Sequence, residues 1–401
     1  MDLTFPAILD NASRRWPGKG FIYTRNGPGF TGKTFGEYAS DVRTLSAALI
    51  NQGLTGKHFL IYGENSYEWM VAELACSGFT GISCVVSKNL KKGDLRAAIA
   101  KTDASAVFYS ESLACETDGL QKDFDIPFFS LQTDLYRLID AGKAVAEHIT
   151  FSERDMDALC KIIFTSGTTS QPKAVMLSQK NIFSGVNSLY VRAPMNELDS
   201  CYLFLPLSHT YGGIYNFVSC LKYGIGLYLC SDINLLAEEL GIVRPTIFCA
   251  VPQVLERFMD LAKASTEPAK ALKQIFGENL RYLFCGGSLW SPEDRAFYKN
   301  AGINLLEAYA LTETASSLSI SYSSDKDVES VGKVFEHIEV RIDSPDENGY
   351  GEILTRGDHV FLGYYNNEKA TKAAIDSDGF FHTGDIGKMD SERRLYLKGR
   401  G

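Results

Sequence analysis

Short apolar runs recur along this chain, and several of them break off in a cluster of glycine, serine, histidine or threonine. "SCYLFLPLSH" (200–209), "PTIFCAVP" (245–252), "LRYLFCGG" (280–287) and "NLLEAYAL" (304–311) are strand candidates, as are "GIGLYLC" (224–230), "HFLIYG" (58–63) and "GISCVV" (81–86). Helical patterns lie between them. Thr34 and Glu37 form a capping box, after which Tyr38, Val42, Leu45 and Leu49 recur at helical spacing and Gly53 provides a stop. Asn65 and Glu68 are expected to cap a second helix carrying Trp69, Ala72 and Leu74 and ending near Gly78. "LRAAIAKTDASAVFYS" (95–110) reads as helix then strand. This alternation implies an α/β fold with mostly parallel sheets covered by helices on both faces. Ligands of such sheets sit beyond the carboxyl ends of the strands, so the polar strand ends are expected to converge on one site.

After about residue 328 the texture changes. "SVGKVFEHIEVRID", "YGEILTRG", "GFFHTGDIGKMD" and "RRLYLKG" are short alternating runs separated by turn residues, which predicts a small antiparallel sheet or barrel. The expected organisation is a large α/β region over 1–328 with two sheet subdomains dividing near 150–200, and a small β subdomain over 329–398. The formal charge of −9, without a dense Lys/Arg cluster, argues against a nucleic-acid partner. The weakly charged stretch from Cys201 to Cys230 holds Pro206, His209, Lys222 and several glycines, so it is not expected to form a transmembrane segment. The N-terminus lacks a signal-peptide pattern, and the nine cysteines are widely spaced without a CxxC pair. Both point to a cytoplasmic protein with thiols serving as small buried hydrophobes.

"FTSGTTSQPKAVMLSQKN" (164–181) follows the strand-like "ALCKIIFTS" and leads into the helical "QKNIFSGVNSLYV". Its amides and hydroxyls suit an anion, with Lys173 as countercharge, and polyphosphate is the natural guest. The usual GxxxxGK[ST] loop is not satisfied, because Gly167 has no glycine–lysine pair at the required distance. The same composition also suits a surface loop rich in turn formers.

The wider pattern separates these readings. "FTSGTTSQPKAV" resembles the signature [YF]TSGTTGxPKGV of the ANL superfamily of adenylate-forming enzymes, with Ser170 and Ala174 in place of glycines. "LPLSHTYGG" (205–213) is similar to that family's LPLxHxxG, "CGGSLW" (285–290) to GGAPL, and "EAYALTET" (307–314) to YGxTE, with Ala310 where glycine is usual. "GEILTRGDHVFLGYYNNEKAT" resembles GEIxxRGxxxxxGYxxxxxAT, "DGFFHTGDIGKMD" resembles DGWxxTGDxGxxD, and Gly399-Arg400 resembles the start of a GRxxD hinge. These segments keep the family order along nearly the whole chain.

The resemblance implies two doubly wound, helix-covered sheets plus a small β-barrel-like subdomain. It implies activation of a carboxylic acid by ATP with Mg2+, giving an acyl-adenylate and pyrophosphate, then transfer to a thiol. Thr165, Ser166, Gly167, Thr168, Thr169 and Lys173 would embrace the β- and γ-phosphates. Thr312 would bond the α-phosphate and Glu313 would hold the metal. Tyr309 would stack on adenine, with Gly286, Gly287, Ser288 and Ala310 lining the nucleotide site. Asp385 and Arg400 would bind the ribose. His209 would gate the carboxylate end of an acyl pocket that also takes in Tyr211, Gly212, Gly286 and Ala308. The amino-acid-activating branch carries an aspartate where this chain has "SHTYGG", so an acid without an α-amine is expected. "LPLSHTYG" and "EAYALTET" are most similar to fatty-acyl-CoA synthetases, and aryl acids stay open. The acceptor would be coenzyme A or the phosphopantetheine arm of an acyl carrier protein. In the family a C-terminal domain follows the hinge and carries a lysine used in adenylation. Lys398 precedes the hinge and is not its equivalent, so these 401 residues are expected to bind ATP or acyl-AMP and to adenylate slowly. A non-catalytic nucleotide-binding module is the alternative from another class.

Overall fold

The computed structural model describes residues 4–151, 154–165, 172–322, 324–325 and 327–400. Three sheets account for the described strands. The first is seven-stranded, with the order 363–364, 173–178, 159–165, 82–86, 58–62, 106–109 and 128–130. Its middle is parallel, and only the 173–178 strand and its 363–364 neighbour run against their partners. The second is nine-stranded, with the order 333–334, 319–320, 305–309, 282–285, 247–250, 200–203, 226–229, 20–26 and 29–34. It is parallel from 305–309 to 20–26 and antiparallel at both edges.

Period-two alternation explains how both faces of each sheet are covered. Phe59 and Ile61 point into the largest core cluster, whereas Leu60 and Tyr62 point into a separate one with Leu95 and Ile99 of the helix Lys92–Lys101. In the nine-stranded sheet Phe284 joins the large cluster. Its neighbours Leu283 and Cys285 join another, with Leu255, Leu272 and Tyr298 from the helices Pro252–Lys263, Pro268–Phe276 and Pro292–Asn300. The two sheets therefore share one helical layer, to which Phe35–Asn51 contributes seven residues including Tyr38, Val42 and Leu45.

The expected capping box is present: Glu37 N–H donates to Thr34 Oγ1 (3.1 Å), and Thr34 N–H donates to Glu37 Oε2 (2.8 Å). The second helix differs from expectation. Ser66, not Asn65, is its N-cap, and the helix Tyr67–Leu74 passes into a π-helical turn, Ala75–Thr80. Asn65 spans to the other sheet instead. Its Nδ2 donates to the Leu205 carbonyl (2.8 Å), and its Oδ1 accepts from Leu207 N–H (2.9 Å). That pair of hydrogen bonds fixes the loop leading to His209.

Neither large sheet is contiguous in sequence. The opening hairpin (20–34) joins the nine-stranded sheet, and Gly363–Tyr364 edges the seven-stranded one. Lys333–Val334, expected within the small subdomain, edges the nine-stranded sheet. The small unit is an open four-stranded antiparallel sheet, Glu339–Asp343, Gly351–Arg356, Phe381–Met389 and Leu395–Arg400, and not a closed barrel. Residues 201–230 form strand, π-helix, helix and strand, and no described helix is long and apolar enough to cross a membrane. All nine cysteines are free, and seven are buried; Cys115 is exposed and Cys230 half-buried.

Candidate active site

The carboxyl ends of the parallel strands and one edge of the small sheet enclose a cavity of about 750 Å3. Thr165 and Lys173 reach it from the seven-stranded sheet, and His209, Tyr211, Gly286, Gly287 and Ala308 from the nine-stranded one. Ala310, Thr312 and Glu313 line it from the segment after the 305–309 strand, and Arg400 from the last strand. A second cavity of about 200 Å3 adjoins it, bordered by Ser288, Tyr309 and Asp385 and sharing Gly287, Ala308, Ala310 and Arg400 with the first. Four positions expected from sequence, Gly287, Ala308, Ala310 and Arg400, thus line both spaces. Ser166, Gly167, Thr168 and Thr169, with Ser170, lie outside the described residues. Gly212 lines neither cavity. It packs against the preceding loop, where a Cβ would stand 2.3 Å from the Pro206 carbonyl oxygen.

Glu313 is held in the 3₁₀ turn Thr312–Thr314, anchored by Leu311 N–H donating to Thr314 Oγ1 (2.9 Å). The chain then reverses through Ala315 and Ser316, both at positive φ (47° and 63°). Left-handed non-glycine residues of this kind are stored where surrounding contacts over-determine them. Phe361 N–H donates to the Glu313 carbonyl (2.9 Å), and Tyr364 O–H donates to its Oε1 (2.9 Å). The Lys173 ammonium stands 4.7 Å from the centroid of that same Tyr364 ring. One tyrosine therefore braces an anion through its hydroxyl and a cation through its π-face. Burial, then the Glu313 carboxylate, pushes the Tyr364 phenol well above the usual range, so it stays a donor.

At the smaller cavity Asp385 Oδ2 accepts from Tyr309 O–H (2.7 Å), and Oδ1 faces Arg400 Nε at 3.3 Å. Asp385 and Arg400 are register partners on neighbouring strands, so the sheet itself sets their separation. Asp385 N–H donates to Thr383 Oγ1 (3.1 Å), which in turn donates to the Ile353 carbonyl (2.8 Å). Beside this group Glu352 accepts from Gly384 N–H (3.0 Å) and faces His382 Nδ1 (3.1 Å).

His209 accepts from Tyr211 N–H at Nδ1 (3.2 Å), which leaves Nε2 to carry the proton of the neutral ring. The side chain opens onto the cavity, yet the protein around it excludes enough water to lower its pKa below the ordinary imidazole value. Neutral His209 is thus an Nε2–H donor at pH 7.

The sequence matches the AMP-binding enzyme family over residues 9–365. The chain belongs to that family. It is 26% identical over 469 residues to the long-chain-fatty-acid–CoA ligase ACSBG2 of Rattus norvegicus, covering 99% of this chain and 70% of that protein. It is 26% identical to the long-chain-fatty-acid–CoA ligase FadD15 of Mycobacterium bovis, covering 92% and 70%. It spans only 59% of the ACSBG2 of Xenopus laevis, at 27% identity. In three dimensions it superposes on the N-terminal domain of FACL13 from Mycobacterium tuberculosis with a TM-score of 0.86 at 20% identity, each chain fully covered. It also matches the o-succinylbenzoate coenzyme A synthetase MenE of Bacillus subtilis, solved with ATP and a magnesium ion. There the TM-score is 0.81 at 22% identity, with 98% of this chain and 79% of that one covered. These superpositions place the AMP-binding enzyme in the fold of an ANL N-terminal domain.

Sequence reasoning assigned no role to Tyr364, Tyr215, Glu352 or His382, all of which line the main cavity. Tyr364, Glu352 and His382 lie inside the quoted motifs "GEILTRGDHVFLGYYNNEKAT" and "DGFFHTGD", so a signal existed for them. The partner of Tyr364, Glu313, comes from another motif, and only the folded chain pairs them.

The donor set suits a metal–nucleotide. Magnesium is held by one or two carboxylates together with substrate phosphates. Glu313 supplies one carboxylate, oriented by Tyr364, beside the Lys173 cation. No larger cluster of ligating side chains occurs among the described residues.

Proposed function

We propose that this AMP-binding enzyme couples ATP to a carboxylic acid, forming an acyl-adenylate and releasing pyrophosphate. The observation that carries this is the pairing of Glu313 and Lys173 on Tyr364, in a cavity that also opens onto His209 and Arg400. In this reading a carboxylate oxygen attacks the α-phosphorus, the new O–P bond forms, and the bond to pyrophosphate breaks. Arg400 and Asp385 hold the ribose, with Tyr309 restraining Asp385. Lys173 meets the polyphosphate, together with the hydroxyl-rich segment 166–169. Thr312 borders the α-phosphate. The Nε2–H of neutral His209 orients the acid. Magnesium at Glu313 would supply further neutralisation of phosphate charge. Little covalent chemistry falls to the protein, so positioning and electrostatics account for the rate.

The acyl group then passes to the thiol of coenzyme A, as the names of the ligase relatives suggest; a carrier-protein phosphopantetheine would present the same thiol. The test is pyrophosphate release across a panel of fatty and aryl acids. Acid-dependent release supports the reading, and Lys173→Ala should lower it by about 10²–10³. Nucleotide binding without acid-dependent release from any member of the panel would instead identify a binding module.

A further inference from the structure

The acyl side of the main cavity ends in aromatic rings. Tyr211 and Tyr215 line the cavity, whereas Asn216, Phe217 and Val218 behind them are buried and take no part in its wall. The two tyrosines sit four residues apart in the π-helix Tyr211–Val218. Its i→i+5 bonding brings residues four to five apart onto one face, and π-turns of this kind favour functional sites. Their rings meet edge to face at 5.5 Å, and Tyr215 meets Phe284 in the same way at 5.6 Å. Both hydroxyls are sunk in the core, so the cavity meets ring surfaces and not phenol oxygens.

This floor has no room to retreat. Gly212 and Gly213, between the two tyrosines, lie directly on the Leu205–Leu207 loop, where an added Cβ would come within 2.3 Å of the Pro206 and Leu207 carbonyl oxygens. That loop is itself clamped by Asn65. The side wall is also close, though less so: a Cβ on Gly286 would stand 2.8 Å from the Ala308 carbonyl oxygen. This end of the cavity is therefore a slot bordered by Gly286 and Ala308 and stopped by Tyr211 and Tyr215.

We infer that Tyr211 and Tyr215 set the length of the acid, and that the substrate is a compact carboxylic acid, short-chain or monocyclic aryl, which packs its far end on their rings. This rests on the acid-activating role proposed above and narrows it away from the long-chain acids in the names of the relatives.

The test is calorimetric binding of non-hydrolysable acyl-sulfamoyl adenosines, from acetyl to palmitoyl and including benzoyl, with adenosine sulfamate as reference. In the wild type, affinity should rise about fourfold per methylene while the chain fills the slot, then fall once it reaches the rings. Tyr215→Ala should move the optimum to longer chains, and Tyr215→Phe should keep the wild-type cutoff because the ring remains. Palmitoyl binding more tightly than butyryl and benzoyl in the wild type overturns the inference while leaving acid activation intact; no variant is needed for that result. An optimum that stays put in a folded Tyr215→Ala also overturns it. If no acyl compound binds more tightly than adenosine sulfamate, the acid-activating reading falls, and the length limit falls with it.

Discussion

Tyr364→Phe separates the two tasks that one residue performs. The substitution keeps the ring 4.7 Å from the Lys173 ammonium and removes the O–H that donates to Glu313 Oε1 at 2.9 Å. Hydrogen bonds to charged groups contribute about 1.5–3 kcal/mol. Glu313 is half-buried and borders an open cavity, so water replaces part of that bond. The expected loss of folding stability accordingly falls below that range, at about 1 kcal/mol. The larger effect is on the metal. Removing the partner that orients a metal-binding carboxylate weakens metal affinity by about 10–100-fold. Calorimetry of ATP with magnesium and with excess chelator reads this directly. Tyr364→Phe should bind magnesium–ATP at least about tenfold more weakly than wild type and metal-free ATP nearly as well. Lys173→Ala should weaken both, because its charge meets phosphate with or without the metal. An equal loss for Tyr364→Phe with and without magnesium would show that the hydroxyl acts through packing and not through Glu313. No loss at all would remove Glu313 from the metal site.

Three further outcomes are expected. Asp385→Ala should cost about 1.5–3 kcal/mol of ATP affinity, and equal binding of ATP and 2′,3′-dideoxy-ATP by the wild type would refute the ribose assignment. Lys161→Met should destabilise the fold by about 3–5 kcal/mol in denaturant titration, because it leaves Glu73 charged and buried, and Lys161→Met with Glu73→Leu should recover most of that loss. Burial pushes the Glu307 carboxyl up from 4.5 to about 7, with Arg295 and Lys299 opposing less strongly. A raised folded pKa means the native state binds the proton more tightly. The stability it confers is therefore complete below pH 4.5 and is lost as pH rises through about 7, roughly 3 kcal/mol in all. Glu307→Gln should show a flatter profile over that window, and parallel wild-type and variant curves would count against the shift.

Much of this molecule is written locally. The capping box at Thr34 and Glu37, the strand runs around 58–62, 82–86, 247–250 and 282–285, and the turn-punctuated strands after Glu339 all follow from neighbour-to-neighbour chemistry, and each formed as the pattern implied. The order of motifs also marks the residues that gather round the cavity, from Thr165 to Arg400, because strand ends in such sheets converge on one edge.

What depends on distant partners was not legible. Asn65 looked like a helix cap, since its neighbours resemble one, but its amide reaches Leu205 and Leu207 in the other sheet. Lys161 sits in an apolar strand run, and its partner Glu73 lies on a different element, 2.8 Å away only after folding. The opening hairpin pairs with the 226–229 strand rather than with its neighbours in sequence. Tyr364 meets Glu313 through its hydroxyl and Lys173 through its ring face, and Gly212 and Gly213 lie on the carbonyl-lined 205–207 loop. Local preferences decide which segments become strands and helices. Which side chains then face one another is set by sheet order and register, and these minimise buried, unpaired polar groups over the whole chain at once.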